Sequence, residues 1–122
     1  MTVTACTLAV VLNLFILFVG ARFLLRPRLA AAGYGVPAKP DGDAAYLAVK
    51  GVRDATFGAV GLALLAFAGA AAEAWFMLAV ALAPLGDTLI VLRHGGTRAV
   101  AFGIHFATAI VVLVSAGLLF AV

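Results

Sequence analysis

Apolar residues fill four long segments of the chain, and polar residues are concentrated in the stretches between them. A membrane-spanning helix needs about 20 predominantly apolar residues, and each segment has roughly that length or more. The pattern therefore predicts four transmembrane helices, over Val3–Leu25, Ala44–Ala72, Ala74–Leu92 and Thr97–Ala121.

The connections between these helices predict their arrangement. Glu73 alone separates the second helix from the third, and "RHGGTR" separates the third from the fourth, with Gly95 suited to a left-handed helix end. Short connections make consecutive helices antiparallel neighbours. The one long loop covers residues 26–43. We therefore expect an all-α, polytopic membrane protein, an antiparallel four-transmembrane-helix bundle that forms a single domain over residues 1–122.

Composition agrees with a membrane location. The chain is 66% hydrophobic and 11% charged, whereas soluble domains carry about 25% charged residues. Cys6 is the only cysteine, which excludes an intramolecular disulfide and a cysteine-based metal cage. The net charge of +3 is explained by membrane topology, and we expect no nucleic-acid partner.

The basic residues predict an orientation. All eight flank the first or the third connection, and the side that holds the two termini has none. The positive-inside rule then predicts a multi-pass protein of the plasma membrane with both termini outside and both basic loops cytoplasmic. These residues are Arg22, Arg26, Arg28, Lys39, Lys50, Arg53, Arg93 and Arg98.

Each predicted helix carries one strongly polar residue in its apolar stretch: Asn13, Asp54, Asp87 and His105. Counted at about 1.5 Å per residue, all four lie in the cytoplasmic half of the bundle. A charged side chain facing lipid at the helix centre costs about 2.5–3.5 kcal/mol, so we expect these residues to face inward and meet. Lys50, Arg53 or His105 would then neutralise the carboxylates.

This arrangement suggests a polar intramembrane pocket for a lipophilic small molecule. Asp54 and Asp87 are the candidate catalytic acid and base, with His105 as proton partner, because histidine exchanges protons near neutral pH. Isomerase or cyclase chemistry needs only such groups, and no sequence feature predicts a cofactor or a metal site. The candidate ligand-binding residues are Asn13, Tyr46, Lys50, Arg53, Phe57 and Phe102.

Several short motifs support a family resemblance over nearly the whole chain. They are "YLAVKGVRDATFG", "PLGD", "VLRHGG" and "FGIH". With these motifs the chain resembles a small four-helix integral membrane family known as a domain of unknown function (four-two-six-seven). The resemblance implies the four-helix fold and marks Lys50, Arg53, Asp54, Asp87 and His105 as family landmarks. Some relatives look like accessory proteins of lipophilic natural-product pathways, which implies a hydrophobic substrate.

Two other functions fit the same pattern. A small dimeric transporter or channel has a similar size, although small multidrug exporters use a glutamate in their first helix, where this chain has Asn13. A non-catalytic structural subunit of a membrane complex is the other alternative. The lipid bilayer is the expected environment in each case, and the sequence does not decide whether the chain forms a homo-oligomer.

Overall fold

Helices make up almost the entire chain in the computed structural model, which describes residues 1–122. A π-helical segment, Ala101–Phe106, lies between the last two α-helices. The α-helices are α1 (Thr2–Leu25), α2 (Pro27–Tyr34), α3 (Ala44–Phe67), α4 (Ala70–Val80), α5 (Leu82–Arg93), α6 (Arg98–Val100) and α7 (Ala107–Phe120).

Three helical stretches are long and apolar enough to cross a membrane. They are α1, the combined α4–α5 stretch Ala70–Arg93, and the stretch Arg98–Phe120 that includes the π-helical segment. Helix α3 is also 24 residues long, but any 18-residue part of it contains Lys50, Arg53 and Asp54. The all-α class is therefore confirmed, and three of the four predicted spans are candidate membrane-spanning helices by length and composition. Helix α3 is distinguished by its charges.

Two predicted helix boundaries were wrong: the end of the second helix, and the start of the third, which begins at Ala70 rather than Ala74. The second predicted helix ends at Phe67 rather than Ala72, because the chain turns at Gly69, which has the left-handed φ angle of 91° that glycine tolerates. Glu73 is consequently not a junction residue but lies in the first turn of α4. The predicted loop 26–43 contains the helix α2, which Pro27 begins at a position where its missing N–H is not needed.

Helices α1 and α3 pack against each other at backbone contact and run antiparallel. Gly20 faces Gly51 and Ala55, and Gly58 faces the backbone of Asn13 farther along α1. A Cβ atom at Gly58 would lie 2.5 Å from the carbonyl oxygen of Asn13. Small residues allow membrane helices to approach this closely, so the glycines fix the distance between α1 and α3.

The remaining helices form a second pair, in which α4–α5 packs along α6–α7 and Trp75 meets Phe120 at 5.0 Å between ring centroids. The two pairs join through a small-residue core near the chain termini, and toward α5 they separate. Helix α2 covers the separated end. The joining core consists of Ala5, Ala9, Ala74, Met77, Ala116 and Leu119.

Candidate functional site

A cavity of about 300 Å³ lies between the two helix pairs. Its walls come from α1, α3, α4–α5, the π-helical segment and α7, and Ala30, Gly33 and Tyr34 of α2 close one end. Of its 23 lining residues 15 are hydrophobic, so most of the wall is suited to contact an apolar molecule. The polar lining residues are Asn13, Arg22, Asp54, Asp87, His105 and Thr108, and Tyr34, counted among the 15, adds its hydroxyl.

Tyr34 is at the centre of the polar end of the cavity. Its hydroxyl donates a hydrogen bond to the Asp87 carboxylate. Its backbone carbonyl lies 2.7 Å from Nε2 of His105, and because a carbonyl only accepts, Nε2 carries the hydrogen. The Tyr34 and His105 rings are 4.2 Å apart between centroids. One tyrosine thus connects α2 to both α5 and the π-helical segment.

Lys50 and Asp54 lie at the same polar end, and of the two only Asp54 lines the cavity. The Lys50 Nζ atom lies 2.8 Å from the Asp54 carboxylate, one helical turn away on α3. The same ammonium group lies 4.3 Å from the Tyr34 ring centroid and 4.9 Å from that of Phe23, which are cation–π distances. We call Tyr34, Lys50, Asp54, Asp87 and His105 the outer cluster.

The protonation state of Tyr34 follows from its surroundings. Burial raises the pKa of the Tyr34 hydroxyl well above its usual value, and the negative charge of Asp87 raises it further. The phenol therefore stays protonated at physiological pH and acts as a hydrogen-bond donor toward Asp87.

A local irregularity of the helix positions His105. The segment Ala101–Phe106 is π-helical, and such wide turns are rare and frequently occur at functional sites. The side chain of Thr97 accepts a hydrogen bond from the Val100 N–H and so begins this stretch. His105 is buried, and its ring faces the C-terminal residue of α2.

Asn13 belongs to a different polar contact, which we call the inner pair. Its Nδ2 donates a 2.7 Å hydrogen bond to Oε1 of Glu73, and the two side chains are 4% and 0% exposed. Oε2 of Glu73 has no hydrogen-bond partner. The four polar residues predicted to meet, Asn13, Asp54, Asp87 and His105, therefore fall into two sets and not the single meeting point expected from the sequence.

The structure brings some of the predicted site residues together and not others. Asn13, Asp54, Phe57, Asp87 and His105 line the cavity, and Lys50 contacts it through Asp54 and Tyr34. The other three predicted ligand-binding residues do not line it: Tyr46 is 81% exposed, Phe102 is 49% exposed, and Arg53 is exposed.

Arg53 points elsewhere because consecutive residues on a helix are about 100° apart, so it cannot share the inward direction of Asp54.

No group of three His, Cys, Asp or Glu side chains lies close enough to hold a metal ion. Sequence reasoning missed Tyr34 and Glu73. The apolar turn before Tyr34 and the Gly35 that follows it were the only local signals for a helix end there.

Similarity to known proteins agrees with the family resemblance of the sequence motifs. The profile of the family Domain of unknown function (DUF4267) matches residues 13–119. The chain belongs to this family. The matched range of this DUF4267 protein contains every residue of the outer cluster and of the inner pair. No curated protein and no solved structure shows significant similarity to it.

Proposed function

We propose that this DUF4267 protein spans the membrane four times and binds a lipophilic small molecule in its cavity. The observation that supports this most directly is the combination of a mainly apolar wall with the outer cluster at one end. A molecule with an apolar body and one polar group matches that distribution. The polar group would lie among Tyr34, Asp87 and His105.

Helix α3 is the proposed fourth span. Its 24 residues extend over about 36 Å, more than the roughly 30 Å of the hydrocarbon core. Close packing along α1 supports a course through the bilayer beside that helix, and the Lys50–Asp54 pair reduces the cost of two of its charges. The basic connections would face the cytoplasm, so the ligand would enter from the cytoplasmic leaflet of the plasma membrane.

Topology is tested by cysteine labelling in intact cells. In a Cys6→Ser background, a cysteine at Gly42 should be protected from a membrane-impermeant maleimide, and a cysteine at Ala121 should react. Both positions are exposed. The reverse pattern would contradict the proposed orientation, and equal reactivity would contradict the fourth span.

The proposed chemistry is proton transfer leading to isomerisation or cyclisation. Asp54 and Asp87 both line the cavity, so one carboxylate could take a proton from a ligand carbon while the other group returns one. His105 would act as proton partner, since its Nδ1 is not used in the contact with Tyr34. Tyr34 would hydrogen-bond a ligand oxygen if Asp87 released it.

Binding is tested with decanol as a probe on the purified chain in detergent. Val112 lines the cavity and Val114 is exposed on the same helix, so Val112→Phe and Val114→Phe form a matched pair. We expect at least a tenfold loss of decanol affinity in Val112→Phe and none in Val114→Phe. Equal affinity in both variants would show that the cavity is not the binding site.

Catalysis requires a separate experiment. A long-chain β,γ-unsaturated ketone should be converted to the conjugated enone, which absorbs in the ultraviolet, and the Asp54→Asn/Asp87→Asn variant should be inactive. The same rate in the native chain and in the double variant would remove acid–base chemistry from the proposal.

The two alternative functions have their own tests. Proton-coupled flux of the probe into liposomes would support the small transporter, and a stoichiometric co-purifying partner would support the structural subunit.

A further inference from the structure

We propose that the inner pair is a second polar site, which binds a hydroxyl or carbonyl oxygen at the far end of the same lipophilic ligand. This inference rests on the proposed function, because it specifies the class of molecule that the cavity takes. The ligand would be a lipophile with oxygen groups at both ends, one at the outer cluster and one at Asn13.

The unused hydrogen-bonding capacity of Asn13 is the first argument. A primary amide has two donor hydrogens and an acceptor oxygen, yet Asn13 makes a single hydrogen bond, to Glu73. It is 4% exposed and lines the cavity, and its amide group lies against Gly61 of α3, so a molecule in the cavity, and not the surrounding lipid, can reach its unused capacity. A hydroxyl, which both donates and accepts, is the natural complement of such an amide.

The way in which Asn13 is held is the second argument. Glu73 receives one amide hydrogen at 2.7 Å, and a Cβ atom at Gly61 would collide with the amide group, so α3 leaves space for this side chain. Glu73 is fully buried, and its Oε2 atom has no partner. A buried polar atom without a partner costs about 1–3 kcal/mol, a high cost for a contact that only joined α1 to α4. Glu73 does not line the cavity, so its role at this site is to hold the Asn13 amide in position.

The spacing of the two polar sites gives the length of the ligand. Gly61, which the Asn13 amide faces, lies seven residues after Asp54 on α3, or about 10 Å along the helix axis. The wall near Asn13 is apolar and includes Leu12, Met77 and Val112. A medium-length apolar chain with an oxygen at each end therefore fits better than a chain with one polar head.

The test compares α,ω-decanediol with decanol on the purified full chain. If the inner pair binds an oxygen, the diol should bind about fivefold to tenfold more tightly than decanol, the gain of one or two added hydrogen bonds. In the Asn13→Leu/Glu73→Leu variant the diol should lose this advantage, so the ratio of diol affinity to decanol affinity should fall below that of the native chain. The double variant replaces both polar partners and so leaves no new unpaired group. Comparing this ratio between proteins cancels the different partitioning of the two alcohols into micelles.

Thr108→Val is the matched control. Thr108 also lines the cavity, but its hydroxyl donates to the Ile104 carbonyl at 2.7 Å, so the diol preference should be retained. Binding of both alcohols with the same diol-to-decanol ratio in the native chain and in the double variant would overturn the inference and leave the proposed function intact. Binding of neither alcohol to the native chain would overturn both.

Discussion

The two sides of α1 are built differently. On the side toward α3, Gly20 meets Gly51 and Ala55 at backbone distance, and no larger residue fits. About a quarter turn around the helix, apolar residues such as Leu12 and Val19 line the cavity, and α1 has no extensive contact with α5. The difference shows that the cavity does not reflect loose packing throughout, because the same helix is held rigidly on one side and leaves space on the other.

The strongest test of this contrast is Gly58→Leu. The added side chain would meet the Asn13 backbone and Leu17, and overpacking a close interface costs about 1–3 kcal/mol or more. We expect little or no folded protein, measured as monodisperse material by size-exclusion chromatography in detergent. Gly117→Leu is the control, because a Cβ atom at Gly117 meets nothing within 4 Å. Equal yields of the two variants would show that the α1–α3 contact is not limiting.

A smaller loss is expected for Tyr34→Phe on the cavity side. The change removes the hydrogen bond to Asp87, and bonds to charged groups contribute about 1.5–3 kcal/mol. Thermal unfolding in detergent should show the loss. Tyr46→Phe, at an 81% exposed position, should change the free energy of unfolding by no more than about 0.5 kcal/mol. Indistinguishable variants would mean that Tyr34 does not hold α2 against the bundle.

Enlarging a residue that lines the cavity should have a still smaller effect. Val80, on α4, lines the cavity that separates α4 from α1, so the larger side chain of Val80→Phe has space to occupy. We therefore expect a change in unfolding free energy below about 1 kcal/mol. The measurement is the same thermal unfolding series. A loss as large as that of Gly58→Leu would show that both sides of α1 are equally crowded.

The smallest expected effect appears only at alkaline pH. An unfolded tyrosine has a pKa of about 10, and the pKa of Tyr34 in the folded chain is higher. Above about pH 10 the unfolded chain therefore releases a proton that the folded chain retains, and the stability associated with Tyr34 decreases as the pH rises. Phenolate absorbance should show a late phase that coincides with unfolding. This phase should be absent in Tyr34→Phe and retained in Tyr46→Phe.

The sequence was informative where the cost of exposure to lipid decides the outcome. Asn13, Asp54, Asp87 and His105 were expected to face inward because an unpaired polar group in hydrocarbon is unfavourable, and all four line the cavity. It was less informative where the outcome depends on packing between helices. Which of several neighbouring charges on α3 faces inward depends on where α1 lies.

Glu73 and Tyr34 illustrate the same limit. Glu73 was placed in a junction because helix ends are poorly defined within a continuous apolar stretch, and the turn at Gly69 moves this residue into the bundle. Tyr34 lies at the end of an eight-residue helix, too short to be stable by itself in water. Its position depends on Asp87 and His105, which are distant in the sequence.

Because Ala101–Phe106 is π-helical, the direction in which His105 points depends on how many residues this segment contains. A π-turn holds one more residue than the α-helical turn it replaces. Deleting Gly103 would let this stretch wind as a regular helix, and everything on one side of the deletion would rotate by about 100° relative to the other. Either His105, Thr108 and Val112 would rotate together away from the cavity, or the buried Ala101 before the deletion would rotate out of its packing. A one-residue deletion should therefore be far more damaging here than a substitution within the same segment.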